Sequence, residues 1–327
     1  MSGLTALGGL AVAWALAACA AAIGMAYRVY HPRSAPRAET PEDLEMPFEV
    51  HAIGVDGARP LTLDAWFIRA PQAAHTVIVA HPWGAQKADR LKYARFLHRC
   101  GFNVLLFDLR NHGRSGRDPA LLGMADRFTA DVEAVIRHWR ERLSQPGSRL
   151  GLVAFSFSTW PALYHVATRP GGGVAALVLD SGPPMSIEGT AVRFIESYAP
   201  RWVPWWLRPP GVFTLFKKVY VCALLRMLGK KSWPPPLDGL QAGVLFIVGE
   251  HDVLMPVPEV SELAARAAGA ELWVVPDAQH LKTFKSRPDE YAARVRAFLD
   301  ERLGGVGRSG QANRRTITCS TGTAGGA

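Results

Sequence analysis

Three side chains, far apart along the chain, could together attack and cleave an acyl bond. Ser156 lies within "GLVAFSFSTWPAL", residues 151–163, after an apolar run and before a helix-like stretch. A hydroxyl held out on a sharp turn can be a nucleophile, but a neutral one is weak until a base within hydrogen-bond reach takes its proton. His280, in "DAQH", could be that base, and Asp252, in "GEHD", could fix the imidazole tautomer and stabilise its cation. The other reading of Ser156 is a buried hydroxyl that caps the helix after it.

These residues need elements to bring them together. Short apolar runs at 76–80, 103–107, 150–155, 244–248 and 271–275, and one ending at Asp180, alternate with amphipathic stretches at 86–101, 123–143, 158–170, 258–269 and 288–303. Residues 48–57 and 61–68 alternate about a glycine turn, as a hairpin does. Fully apolar strands separated by helices indicate a mostly parallel sheet with helices on both faces. In such a sheet the site lies beyond the carboxyl ends of the strands. The strand ends carry His81-Pro82-Trp83-Gly84, Asp108 to Gly116, Ser156, Gly249 to Asp252, and Pro276 to His280.

A serine, an acid and a histidine follow three strands in that order, which is the order of the α/β-hydrolase triad. With "HPWG", "DLRNHGRSG", "AFSFS", "GEHD" and "DAQH" each in place, residues 46–303 resemble the α/β-hydrolase superfamily. The resemblance is to its esterase, lipase and serine-aminopeptidase-like members with an inserted cap. It implies an α/β fold with a helical cap at about 183–236, and a catalytic set of Ser156, Asp252 and His280. It also implies an oxyanion hole made by the backbone N–H groups of Phe157 and Trp83. Pro82 has no N–H to offer, and Gly84 ranks behind Trp83. The family's elbow is G-x-S-x-G, whereas here Ala154 and Ser158 stand at the two glycine positions. Small side chains meet the need for close approach of strand and helix only in part.

Competitors exist for each role. His251 adjoins Asp252 but should point elsewhere, His112 has no acid placed for it, and His81 is better read as a brace for the loop it opens. Asp180 is the rival acid, and Asp277 is read as ordering the loop of His280. Arg110 is expected to pair with a carboxylate in a structural turn.

The remaining sequence sets the context. Residues 1–27 hold no charged side chain and are long enough to cross a bilayer; Arg28, Arg33 and Arg37 follow. The charge bias places the catalytic body in the cytoplasm behind a single-pass anchor. The rival is cleavage, leaving a secreted or, through "LAAC" at 16–19, a lipid-anchored protein. Residues 28–45 read as a linker, 46–303 as the hydrolase domain and 304–327 as a disordered tail. The net charge is +9, and residues 183–236 hold eight Lys/Arg against two Asp/Glu, with four of the ten tryptophans. Tryptophan beside cations suits a lid that also touches a membrane; no nucleic-acid motif accompanies the charge. Four scattered cysteines suggest neither a disulfide framework nor a metal site, and no cofactor is implied. The expected function is a serine hydrolase acting on a small-molecule ester with a hydrophobic acyl or aromatic part. The alternatives are a thioesterase, an amidase or aminopeptidase, or a non-catalytic binding protein of the same fold.

Overall fold

A computed structural model describes residues 2–32, 35–57, 59–229 and 232–304. The described residues form two compact units, one within residues 35–118, 128–185 and 232–304 and the other within 2–32, 119–127 and 186–229.

The larger unit is built on an eight-stranded sheet. In chain order the strands are β1 (Phe48–Val55), β2 (Leu61–Ile68), β3 (Thr76–Ala80), β4 (Asn103–Phe107), β5 (Leu150–Phe155), β6 (Val174–Asp180), β7 (Gly243–Gly249) and β8 (Glu271–Val275). Their order across the sheet is β1-β2-β4-β3-β5-β6-β7-β8. β1 and β2 form the expected antiparallel hairpin and β2 meets β4 antiparallel; every later pairing is parallel. All residues of β3 and β5 are buried, because a central strand covered on both faces has no solvent side.

Helices α2 (Leu91–Arg99), α3 (Met124–His138), α4 (Thr159–Thr168), α7 (Val257–Arg266), α8 (Thr283–Ser286) and α9 (Pro288–Leu303) follow the strands. α9 buries Tyr291, Ala292, Val295, Phe298, Leu299 and Leu303, one face at three- and four-residue spacing. That face joins Tyr93, Phe96 and Leu97 of α2 and the residues Val77, Val79, Val153, Phe155, Val178 and Ile247 of the sheet in one core cluster. The helix expected over 86–101 is shorter. Residues Lys87–Arg90 form a tight 3-10 turn before α2 starts, since the backbone N–H and ammonium of Lys87 both donate to Asp108, at 2.7 and 2.6 Å.

The smaller unit contains α1 (Ser2–Tyr30), α5 (Ile187–Trp202) and α6 (Pro210–Leu228). α1 continues three residues past the expected end of the anchor. It packs along α6 through a stripe of Ala18, Ala22, Ala26 and Tyr30, all buried. Methyl side chains at four-residue spacing let two helix backbones approach closely. The Tyr30 hydroxyl donates to the carbonyl of Leu224 at 3.0 Å. Leu7, Leu10, Val12, Trp14, Leu16 and Ile23 stay exposed on the rest of α1. The linker region holds one short turn, Pro41–Leu44, and the expected tail lies, from residue 305, outside the described residues. Cys19, Cys100 and Cys222 are free thiols.

Candidate active site

β5 ends at Phe155, and Ser156 begins the tight turn that leads into α4. Its φ of 48° is left-handed, a conformation that costs a non-glycine residue on the order of 1–3 kcal/mol. Neighbouring hydroxyls fasten the turn. Ser158, fully buried, accepts the N–H of Phe155 at 2.9 Å and donates to the carbonyl of Ala80 at 2.9 Å. The Thr159 hydroxyl donates to the carbonyl of Ser156. Ser158 therefore ties the end of β5 to the end of β3, a bond that glycine could not make. Ala154 is wholly buried, opposite Ala80 and Leu179 on the flanking strands.

The Ser156 hydroxyl lies 2.9 Å from His280 Nε2. His280 Nδ1 lies 2.7 Å from Asp252 Oδ2. Asp252 is buried, and its other oxygen accepts the N–H groups of Leu254 and Met255 at 3.0 and 2.9 Å. The three residues picked from strand ends thus form one hydrogen-bonded chain. Its geometry has Asp252 accepting from Nδ1–H, which leaves Nε2 with a lone pair toward the hydroxyl.

The loops carrying Asp252 and His280 are laced together. The N–H of Glu250 donates to Val275 at 3.0 Å, that of His251 to Ala278 at 2.9 Å, and that of Asp277 to the Glu250 carboxylate at 3.1 Å. A Cβ on Gly249 would sit 2.3 Å from the Ala278 carbonyl oxygen, so only glycine permits this approach. The His251 side chain is exposed beside Glu250 and Asp277. Asp277 also faces Arg287 at 3.4 Å.

Asp180 does not reach the imidazole by any hydrogen bond among the described residues. Its carboxylate accepts from Ser181 at 2.9 Å, from Thr283 at 2.9 and 2.8 Å and from Tyr291 at 3.0 Å. Burial holds its carboxyl above the usual range, against the opposing pull of those hydroxyls. The Ser181 hydroxyl also accepts the N–H of Leu281 at 3.1 Å. This cluster grips the chain on the far side of His280. The backbone is left-handed at Ser181, Asp277 and Leu281, with φ of 61°, 58° and 59°. Sequence reading missed this grip. The one signal available was a threonine three residues past His280, in an otherwise charged stretch.

The loop after β3 is held by two buried histidines. His81 Nδ1 donates to the Pro82 carbonyl at 2.8 Å, and its Nε2 accepts the N–H of Leu109 at 3.0 Å. His112 Nδ1 donates to the Arg110 carbonyl at 2.8 Å, and its Nε2 accepts the N–H of Gly84 at 3.3 Å. The two rings are 4.9 Å apart. Burial, helped by His81, pushes His112 down to about 3, and burial likewise lowers His81. Both are neutral braces. Gly84 spends its amide on His112. Phe157 stands in the first turn of its helix, where amides lack helical acceptors. Arg110 pairs with Asp118 at 2.7 Å and Asp131 at 2.6 Å, all three buried.

Residues 77–294 match the model of the alpha/beta hydrolase family. The Pyrococcus furiosus esterase Pf2001 is 26% identical, with a TM-score of 0.66 over 84% of this chain and 99% of its own. The uncharacterized protein YqkD of Bacillus subtilis (strain 168) is 23% identical over 77% of this chain and 80% of its own. Lysophospholipase L2 of Escherichia coli (strain K12) is 34% identical over a shorter stretch, 28% of this chain and 25% of its own. With the family model spanning most of the sheet and its strand ends, and an esterase among its structural relatives, this chain belongs to the alpha/beta hydrolase family and is a hydrolase.

Proposed function

We propose that the protein is a serine esterase that works through an acyl-enzyme. The observation that carries this reading is the hydrogen-bonded chain from Ser156 to His280 to Asp252. In the first half-reaction Ser156 Oγ attacks the ester carbonyl while its proton passes to His280 Nε2. The imidazolium is held by Asp252 and gives that proton to the departing alcohol. Water, deprotonated by the same nitrogen, then releases the acid and regenerates the hydroxyl. The N–H groups of Phe157 and Trp83 take the developing oxyanion, a role worth about 3 kcal/mol for each donor.

An apolar acyl part fits the surroundings of Ser156. Phe157 stands edge-on to Phe128 at 4.9 Å, and the Met255 sulfur lies close to Gly182 beside Thr159. The stretch shared with a lysophospholipase points the same way. We further propose that α1 is a single-pass membrane anchor with the catalytic body in the cytoplasm. Its apolar window from Leu7 to Tyr30, mostly uncovered by protein, supports this.

A fluorophosphonate probe and a panel of p-nitrophenyl esters of varied acyl length test the enzyme. Wild type should label and hydrolyse. Ser156→Ala should lose labelling, and His280→Ala should lose roughly 10⁴-fold or more in kcat, both folded by circular dichroism. A folded wild type that neither labels nor turns over any ester would sink the reading.

A further inference from the structure

The smaller unit carries a face that the esterase reading leaves unexplained. Ile23 of α1, Leu121 and Leu122 of the loop before α3, and Val219, Cys222 and Met227 of α6 line one groove of about 640 Å³. The two loop leucines are 57% and 58% exposed, too much apolar surface to leave in water without a reason. Lys218, Cys222 and Arg226 stand four residues apart along α6, so they form one exposed stripe at this groove. Neither cation has an ion-pair partner among the described residues.

Charge and continuity identify what covers this face. Residues 1–33, 119–127 and 186–231 hold eleven Lys/Arg against three Asp/Glu, nearly the whole net charge of the chain. Ile23 belongs both to the groove and to the apolar window of α1. Whatever solvates that window therefore also reaches the groove. α1 cannot lie in lipid as a bare rod either, because its Ala18–Tyr30 stripe is already occupied by α6.

We infer that the groove face of α6 and the Leu121-Leu122 loop dock into the acyl–headgroup boundary of an anionic bilayer. The apolar side chains enter the acyl region while Lys218 and Arg226 extend to lipid phosphates, as long cationic side chains do at interfaces. The inference rests on α1 being in lipid, and makes the protein's hold on the membrane a two-helix, one-loop device rather than a lone anchor.

The test uses the full chain with Cys19, Cys100 and Cys319 changed to Ser and an environment-sensitive fluorophore on Cys222. It is mixed with phosphatidylcholine vesicles, with and without phosphatidylglycerol, and floated on a density gradient. In anionic vesicles the probe should shift to the blue and be quenched by brominated acyl chains. A probe placed instead on Asp56→Cys, an exposed position in the β1–β2 turn, in a chain with Cys222 also changed to Ser, should stay water-like. Leu121→Asp with Leu122→Asp should return the Cys222 emission toward that of water while the protein still floats. Lys218→Gln and Arg226→Gln, each removing one positive charge, should each weaken anionic-vesicle binding by about fivefold, the worth of one cation near a charged leaflet. Water-like emission from Cys222 in floated protein would overturn the inference. Failure to float would remove the α1 reading and this inference with it. Hydrolysis of short soluble esters by the same variants keeps both outcomes separate from the esterase reading.

Discussion

Ser158 shows how a departure from a family pattern can be a construction rather than a loss. Its hydroxyl replaces the space a glycine would give with two hydrogen bonds, one within the elbow and one to β3. Ser158→Ala should leave the Phe155 N–H buried and unmet, at a cost of about 1–3 kcal/mol. A chemical-denaturation midpoint would register that, and kcat should fall with KM nearly unchanged, since the turn rather than the substrate pocket is loosened. Ser158→Gly adds backbone freedom to the same loss and should be no better than Ala. Stability equal to wild type in both variants would refute the tie. The meeting of Ser156, His280 and Asp252 was legible in the sequence because apolar strands announce their own ends, and loops gather there. The tie was not legible: a serine two residues after another serine gives no hint that a carbonyl 78 residues upstream is within 2.9 Å.

At the scale of elements, the site is a meeting of loops, and α8 with the start of α9 is what aims one of them. Asp180 ends β6 and grips Thr283 of α8 and Tyr291 of α9, while Ser181 holds the N–H of Leu281. On the proposed mechanism it is a positioning residue for His280, acting through the residues just beyond it. Asp180→Asn turns an amide NH₂ toward hydroxyls that can only donate where they now point. This should lower kcat about tenfold or more, by moving the imidazole a fraction of an ångström, with little change in KM. Fluorophosphonate labelling should slow but persist. Tyr291→Phe, which removes one donor, should cost less. If Asp180→Asn turned over at the wild-type rate, the grip would be irrelevant to chemistry. In the sequence Asp180 is a rival acid, since its position at a strand end is all that a sequence displays. Which of two acids meets the imidazole depends on loop paths, and Gly249's close approach to Ala278 settles that only in three dimensions. The strands along the chain, their mostly parallel sheet and the hairpin were readable from apolar runs. The α1–α6 contact was not, because a buried stripe of alanines has no contrast in a helix already rich in alanine.

Across the whole molecule, buried neutral histidines couple stability to pH. His165 of α4 is buried, and neither ring nitrogen has a hydrogen-bond partner among the described residues; burial pushes it down to about 4. His112 is pushed down to about 3. An unfolded histidine takes its proton near pH 6.5. Above that pH both are neutral in the folded and the unfolded chain, and neither makes stability depend on pH. Below it the unfolded chain binds protons that the folded chain refuses, so stability falls as pH drops. The window runs from about 6.5 to about 4 for His165, and the slope is about 1.4 kcal/mol per pH unit for each histidine. Asp131 and Asp180, whose carboxyls burial raises, act with the opposite sign at the acid end. Denaturation midpoints taken between pH 7 and pH 4.5 should decline, and His165→Leu should decline less steeply. Parallel curves for the two proteins would show that His165 is not the group responsible.

Trimming the N-terminal helix to obtain a freely soluble enzyme would not be neutral surgery. Removing residues through Tyr30 takes away the alanine rail on which α6 lies and leaves the Leu224 carbonyl without its phenol. The shortened protein should therefore gain, where the rail was detached, a sticky strip of its own making. Self-association in such a fragment would report the loss of an internal partner, not poor folding of the sheet.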